Sequence, residues 1–203
     1  GNDVIATGGG ADVVDGGSGN DAITGADTAV DTFTGGAGND TLDGDGGLDV
    51  FTGGTGVDIF TFGDNVDAAA ADMITITDAV GGLGGDIFKI DASDVAAGIA
   101  PNLTLSVVNV AGAANNSIVV DAVGTGYANV AAFELAVETA NNNTLDWVGV
   151  YYDTTDDTVY IVADADSGAV GSSVIIGSLT NYTTDALADV FLAALTTSNF
   201  NLY

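Results

Sequence analysis

The chain has 203 residues, with 29 acidic side chains, one basic side chain (Lys89), no histidine and no cysteine, and its net charge is −28. These counts exclude zinc and haem sites, disulfide bonds and catalytic triads that need an imidazole. Any bound metal must take oxygen ligands. Nucleic acid and anionic membrane surfaces are poor partners, because binding phosphate requires more than one basic residue.

Hydrophobic residues make up 47% of the chain, which predicts a folded protein in which bound cations neutralise part of the charge. No charge-free apolar stretch reaches the ~18 residues of a membrane span, so we expect no membrane insertion. The chain starts at Gly1 inside a repeat, without an initiator methionine or signal peptide. We therefore expect it to be the C-terminal portion of a longer protein.

An aspartate recurs every nine or ten residues in the first 61 residues, and a large apolar residue follows two positions after each one. The aspartates are Asp3, Asp12, Asp21, Asp31, Asp40, Asp49 and Asp58. The unit is GGxGxDxUx, where U is a bulky hydrophobe, and this pattern is typical of calcium-binding parallel β-helices. Copies at 16–24, 35–43, 53–61 and 81–89 are complete, whereas the copies around Asp12, Asp31 and Asp49 are degenerate, and the Asp31 copy has one inserted residue.

Each copy predicts a glycine turn followed by a short strand, so that two copies close one coil. Turns about 18 residues apart then stack, which places Asp3, Asp21, Asp40 and Asp58 in one column and Asp12, Asp31 and Asp49 in another. Carboxylates and turn carbonyls between stacked turns supply about six hard oxygen ligands, as Ca²⁺ prefers. Seven turns in two columns predict five calcium sites, and we expect about five or more ions. The glycine runs do not indicate a phosphate-binding loop, because they repeat and no long helix follows them.

The expected ligands are the seven aspartates of the columns, extended by residues that follow the array. Those additional carboxylates are Asp67, Asp72 and Asp86. The expected carbonyl donors are the first and third residues of the complete turns, namely Gly16, Ser18, Gly35, Ala37, Gly53, Thr55, Gly81 and Leu83.

The copies GGSGNDAIT, GGAGNDTLD and GGTGVDIFT resemble the RTX nonapeptide repeats of proteins exported by type I secretion systems, and 72–78 and 86–91 are similar to segments that follow such arrays. The resemblance implies an all-β fold. Residues 1–91 are expected to form the first part of this fold, a right-handed parallel β-roll that folds on Ca²⁺ after export. A β-rich C-terminal capping domain over 92–203, with one short helix and a type I secretion signal at its end, is expected to follow.

In the C-terminal half, alternating residues predict strands at 103–107 and 118–120 and a hairpin of 146–152 with 158–163. The pattern of 127–139 predicts the helix, with Asn129 as its cap. The spacing of 164–168 fits either the opening of a calcium loop or a solvated turn, and the turn is the default. The tail, 185–203, resembles the apolar ending that exporters of this type recognise, and its pattern fits a last helix and strand equally well.

Three functions follow from these patterns. We favour a non-catalytic, calcium-folded module of a secreted or cell-surface protein of the surface-layer or adhesin type. Its partners would be the type I secretion machinery during export and, at the surface, self-association or a cell-surface polysaccharide. The alternative is the C-terminal module of a secreted hydrolase such as a protease or lipase, with its catalytic residues elsewhere, since the only glutamates, Glu134 and Glu138, are expected on a solvated helix face. Glycan or ice binding by the outer face of the roll is third, and the lack of an outward threonine or aromatic ladder counts against it.

Overall fold

The computed structural model describes residues 1–62, 73–90, 107–108, 117–121, 126–141, 147–164, 173–182 and 184–202. Nine short strands come first, each centred on the apolar residue of one repeat or on its equivalent. They are β1 (Val4–Ala6), β2 (Val13–Ser18), β3 (Ala22–Asp27), β4 (Thr32–Ala37), β5 (Thr41–Asp45), β6 (Val50–Thr55), β7 (Ile59–Phe62), β8 (Ile74–Ile76) and β9 (Ile87–Ile90).

Successive strands alternate between two parallel sheets. The odd-numbered strands pair in the order β1-β3-β5-β7-β9, and the even-numbered strands pair in the order β2-β4-β6-β8. Paired residues such as Val4 and Ala22, or Val13 and Thr32, lie one coil apart in the chain. The all-β fold and the β-roll are therefore confirmed, with two strands and two turns in each coil.

The inward residues of the two sheets form one core, because every repeat points its bulky residue to the inside. Ile23, Phe33, Leu42, Phe51, Phe60 and Phe88 are fully buried. The rings of Phe33 and Phe51 stack with centroids 5.6 Å apart, and Phe51, Phe60 and Phe88 continue the stack at 6.4 Å steps. At the first coil, Ile5 and Val14 are only partly buried.

The second half of the chain extends both sheets. Its elements are β10 (Val107–Val108), β11 (Ser117–Val120), α1 (Val130–Asn141), β12 (Trp147–Asp153), β13 (Thr158–Asp164), β14 (Val174–Leu179), α2 (Asp185–Ala194) and β15 (Phe200–Leu202). Strand β14 pairs with β8 and continues that sheet through β13, β12, β11 and β10, while β15 pairs with β9. The two sides of the boundary expected at residue 91 thus share both sheets.

The hairpin of β12 and β13 and the strand β11 are confirmed, as is the helix α1, whose first turn is capped by Asn129: the side-chain oxygen accepts the Ala132 N–H at 2.9 Å. The helix of 127–139 is not the only one, because the tail forms a second helix, α2, followed by β15, which confirms the last helix and strand that the pattern of 185–203 fits. Thr184 caps α2, and Ala188, Phe191 and Leu192 bury its inner face. Among the described helices, α1 and α2 included, none has the length and apolarity needed to cross a membrane.

Two smaller expectations are corrected by side-chain positions. Glu134 is 1% exposed, so it does not lie on a solvated helix face. Thr34, Thr52 and Thr77 follow one another across the outer face of β4, β6 and the end of β8, and the hydroxyls of Thr52 and Thr77 lie 2.8 Å apart. The outer face therefore carries a short threonine ladder, which the sequence pattern hides because the third threonine follows an irregular repeat.

Some expectations lie outside the described residues. These are the strand residues 103–106, the candidate ligands Asp67 and Asp72, and the segment 165–168. Asp164 itself is buried at the end of β13.

Candidate metal centre

The turns of the roll lie along two edges. The edge formed by turns 16–21, 35–40, 53–58 and 81–86 carries complete GGxGxD sequences and is called the regular edge. The edge formed by turns 7–12, 25–31 and 44–49 carries the degenerate sequences and is called the irregular edge. Both edges contain an aspartate at the last position of each turn, directly before a strand.

These aspartates stack through a ladder of hydrogen bonds in which each backbone N–H donates to Oδ1 of the aspartate one coil further on. On the regular edge, Asp3, Asp21, Asp40 and Asp58 donate in this way to the next member of the column over 2.7–3.0 Å, and the last acceptor is Asp86. On the irregular edge, Asp12 donates to Asp31 and Asp31 donates to Asp49, both at 2.8 Å. The structure therefore contains both columns that the spacing predicts.

The second carboxylate oxygen of four of these aspartates has no hydrogen-bond partner although it is buried. The four are Oδ2 of Asp12, Asp21, Asp31 and Asp40. Asp21, Asp31 and Asp40 are at most 2% exposed. A buried carboxylate oxygen without a partner costs free energy unless a cation or donor compensates it. Two such oxygens lie on each edge.

A backbone carbonyl of the next coil lies beside the oxygens of Asp21 and Asp40. A methyl group placed on Gly16 would lie 2.7 Å from Asp21 Oδ2 and 2.8 Å from the Gly35 carbonyl oxygen, and one on Gly35 would lie 2.5 Å from Asp40 Oδ2 and 2.7 Å from the Gly53 oxygen. The turns 16–21 and 35–40 therefore each cradle a carboxylate oxygen and a carbonyl oxygen around one point, which only glycine leaves open.

Glycine is also required by the backbone of the regular edge. The second and fourth positions of its turns have positive φ, for example 109° at Gly36 and 138° at Gly38. The third-position carbonyls of Ala37 and Thr55 accept the N–H groups of Gly19 and Gly38, each at 2.8 Å. Each carbonyl retains a second lone pair, which is available to a cation.

A second ladder, made by asparagine side chains, was not expected from the sequence. Asn20 donates its backbone N–H to Asn2 Oδ1 at 2.9 Å, Asn39 donates to Asn20 Oδ1 at 3.0 Å, and Val57 donates to Asn39 Oδ1 at 3.0 Å. In the sequence, the signal for this ladder is the asparagine that directly precedes Asp3, Asp21 and Asp40. This ladder runs opposite to the aspartate ladder and fixes adjacent turns in both directions.

The irregular edge brings additional carboxylates into its turns. Asp27 accepts the Gly10 N–H at 2.7 Å through Oδ2 and the Ala29 N–H at 2.8 Å through Oδ1. Asp45 occupies the second position of its turn with φ of 63°, where the regular edge has glycine. The inserted residue of this edge is absorbed by a register shift between β3 and β5, after Thr24.

At the end of the regular edge, the negative charges of neighbouring carboxylates act on Asp58 and Asp86. Burial and the negative charges of Asp86, Asp40 and Asp78 raise the pKa of Asp58 to about 6, although the hydrogen bond from Asp40 opposes this. Burial also raises the pKa of Asp86 above its usual value, with Asp78 adding to the effect. The carboxylate of Asp78 accepts the Gly53 and Gly54 N–H groups.

Within the described part of the chain, no three acidic side chains converge as a ready metal site. Any cation here must therefore draw on backbone carbonyls as well as on one or two carboxylates. All available donors are hard oxygens, and backbone carbonyls make up most of them, which fits Ca²⁺ better than Mg²⁺ with its strict octahedral demand. The orphaned carboxylate oxygens and their neighbouring carbonyls fit a calcium ion.

Comparison with known families agrees with this donor set. Residues 1–29 and 25–60 match the family model of the RTX calcium-binding nonapeptide repeat (4 copies). No curated protein matches the chain. The family match covers the first 60 residues, so the RTX calcium-binding repeats belong to this part of the chain, and the repeats bind Ca²⁺.

Proposed function

We propose that the RTX calcium-binding repeats of residues 1–60 make this chain a non-catalytic module that folds when calcium fills the stacked turns. The four buried carboxylate oxygens without a hydrogen-bond partner carry this proposal. Without a cation they repel neighbouring carbonyl oxygens inside the fold. With calcium, the same oxygens become ligands, so calcium binding free energy becomes folding free energy.

The proposed ligands follow from the contacts at each turn. Each site takes Oδ2 of one aspartate, the first-position carbonyl of the next coil and third-position carbonyls of the stacked turns. On the regular edge the carbonyl donors are Gly16, Ser18, Gly35, Ala37, Gly53 and Thr55. Four of the five expected sites contain an orphaned oxygen, and the fifth lies at the exposed first turn, beside Asp3.

The charge of the chain supports a switch that depends on the compartment. A net charge of −28 destabilises a compact fold until cations neutralise part of it. Extracellular calcium modules bind with dissociation constants of about 10⁻⁴–10⁻³ M, and such sites stay empty in a cytosol that is poor in calcium. The module would remain unfolded during export by the type I machinery and fold outside the cell. The alanine-, threonine- and glycine-rich composition favours a surface-layer or adhesin parent.

Circular dichroism of the full chain tests the calcium switch. In EDTA we expect little β structure, and in ~1–10 mM CaCl₂ a β spectrum with a cooperative melt. MgCl₂ at the same concentration is the matched control and should restore little of the signal, because Mg²⁺ retains its water. A β spectrum in EDTA that calcium leaves unchanged would sink the proposal.

A further inference from the structure

The last turn of the regular edge, 81–86, matches the repeat completely but is built differently from the turns before it. In the two turns before it, the second glycine lies against the carbonyl of the preceding coil, as Gly54 does against Gly36. In the last turn, Gly81 lies against the ring of Phe191, and Gly82 lies against Ala194. The last turn is therefore packed on α2.

Asn199, which follows α2, fills this turn with its side-chain amide. Its Nδ2 donates to the carbonyl oxygens of Gly82 at 3.1 Å and Asp86 at 2.8 Å. Its Oδ1 accepts the N–H groups of Gly82 at 3.2 Å and Thr196 at 3.0 Å. Asn199 is 0% exposed. The two carbonyls are acceptors only, which fixes the NH₂ group on their side.

The aspartate of this turn also differs from its counterparts. Asp86 uses both oxygens in hydrogen bonds, Oδ1 with the Asp58 N–H at 3.0 Å and Oδ2 with the Val80 N–H at 2.8 Å. Oδ2 of Asp21 and Oδ2 of Asp40 have no such partner. The last turn therefore lacks the orphaned carboxylate oxygen of the other turns. Its aspartate carbonyl also has a different partner: the Asp40 carbonyl accepts the Ile59 N–H of the next coil at 2.8 Å, whereas the Asp86 carbonyl accepts the Asn199 amide.

We infer that the side-chain amide of Asn199 closes the last turn in place of the backbone of a further coil and so sets where the row of calcium sites ends. This inference rests on the proposed function for the other turns, and it removes Oδ2 of Asp86 from the ligand set, because the Val80 N–H occupies that oxygen. The amide donates to the Gly82 and Asp86 carbonyls and needs no metal to do so. It also ties the tail to a turn 117 residues earlier.

The test uses Asn199→Ala and Asn199→Asp in the full chain, with the exposed Asn201→Ala on β15 as the matched control. In saturating CaCl₂, Asn199→Ala leaves buried carbonyls unpaired and should lower the melting midpoint by about 5 °C or more, with an unchanged number of bound calcium ions by titration calorimetry. Asn201→Ala should shift the midpoint by less than about 2 °C.

Asn199→Asp separates the amide from a mere space filler. It replaces the donor with an oxygen that faces two carbonyls, so at limiting calcium it should melt below Asn199→Ala. Raising CaCl₂ should leave this variant less stable than the wild type and should not add a bound calcium ion.

Wild-type melting of Asn199→Ala, or an Asn199→Asp variant that binds an additional calcium ion, would overturn the inference. If the wild type binds no calcium, the proposed function fails. In that case, the difference between the melting midpoints of Asn199→Ala and Asn201→Ala still tests whether the amide holds the tail in place.

Discussion

The two edges of the roll carry the same aspartate column in different turns. On the regular edge, complete GGxGxD turns stack with positive φ at two positions and an asparagine ladder beside the aspartates. On the irregular edge, Asp27 and Asp45 replace small residues, and one turn is longer. The column continues through both, because the aspartate N–H and carboxylate set the register directly before each strand.

The difference shows which part of the repeat carries which property. The aspartate and the apolar residue two positions later determine stacking and core, and these are intact on both edges. The glycines determine how closely successive turns approach, and they are complete only on the regular edge. We therefore expect the irregular edge to tolerate substitutions that the regular edge does not.

Replacing the central aspartate of the regular edge should have the largest effect. Asp40→Ala removes an orphaned oxygen and the acceptor for the Asp21 N–H, so it should cost about 3 kcal/mol or more of calcium-dependent stability. Asp31→Ala on the irregular edge should cost less, because Asp27 keeps a carboxylate in the same turn. Calcium-dependent melting measures both variants.

The control for these variants is Asp15→Ala, since Asp15 is exposed on the outer face of β2. It should change stability by about 0.5 kcal/mol or less. Asp157, in the hairpin turn, is a poor control because its φ is 59° and it accepts a hydrogen bond from Tyr152. Equal losses of calcium-dependent stability for Asp40→Ala and Asp31→Ala would mean that the two edges contribute equally to that stability.

Glycine substitutions should next separate a stacked turn from a first turn that has no coil before it. Gly36 and Gly10 have nearly equal φ, 109° and 104°, but a methyl group on Gly36 would collide with the Gly17 carbonyl, whereas one on Gly10 meets nothing within 4 Å. Gly10→Ala should cost about 1 kcal/mol from backbone strain alone. Gly36→Ala should cost at least about 2 kcal/mol, because the turns must also move apart. Chemical denaturation in saturating calcium gives both values, and similar losses would show that turn spacing is not what glycine protects.

A pH titration should give the smallest effect, at the C-terminal end of the regular edge. The pKa of Asp58 is raised to about 6, so the metal-free fold binds a proton that the unfolded chain releases near pH 4. Its free energy of unfolding should fall as the pH rises from about 4 to about 6 and be level above that. Calcium holds Asp58 ionised, as it is in the unfolded chain above pH 4, so the titration is measured in EDTA with an osmolyte that populates the metal-free fold.

Asp58→Asn is the matched variant for this titration, because its side-chain oxygen can still accept the Asp40 N–H. It should lose most of the pH dependence between 4 and 6, with the remainder due to Asp86. A variant that keeps the full dependence would place the titrating group elsewhere.

The sequence predicted the elements that depend on local periodicity. The nine-residue spacing predicts the two columns and the two-strand coil, and the alternation of 146–152 and 158–163 predicts the hairpin. The Asn199 contact could not be predicted, because it joins residues 117 positions apart and depends on how the tail packs. The complete motif at 81–86 conceals this, since sequence alone does not show that α2 takes the place of a stacked turn.

The aromatic stack of the core gives the roll a direction. Its interior begins with Ile5, Val14 and Ile23 and continues into the phenylalanines, which end at Phe200 against Phe88 with centroids 5.6 Å apart. Coils of a solenoid contribute to stability through their own packing and their nearest neighbours, so larger buried side chains make later coils more stable than earlier ones. Local opening should therefore start at the first coil and proceed toward the tail, and amide hydrogen exchange should slow from β1 to β9. Folding in the reverse order would start from the coils next to the tail, so that each new coil is added to an ordered neighbour.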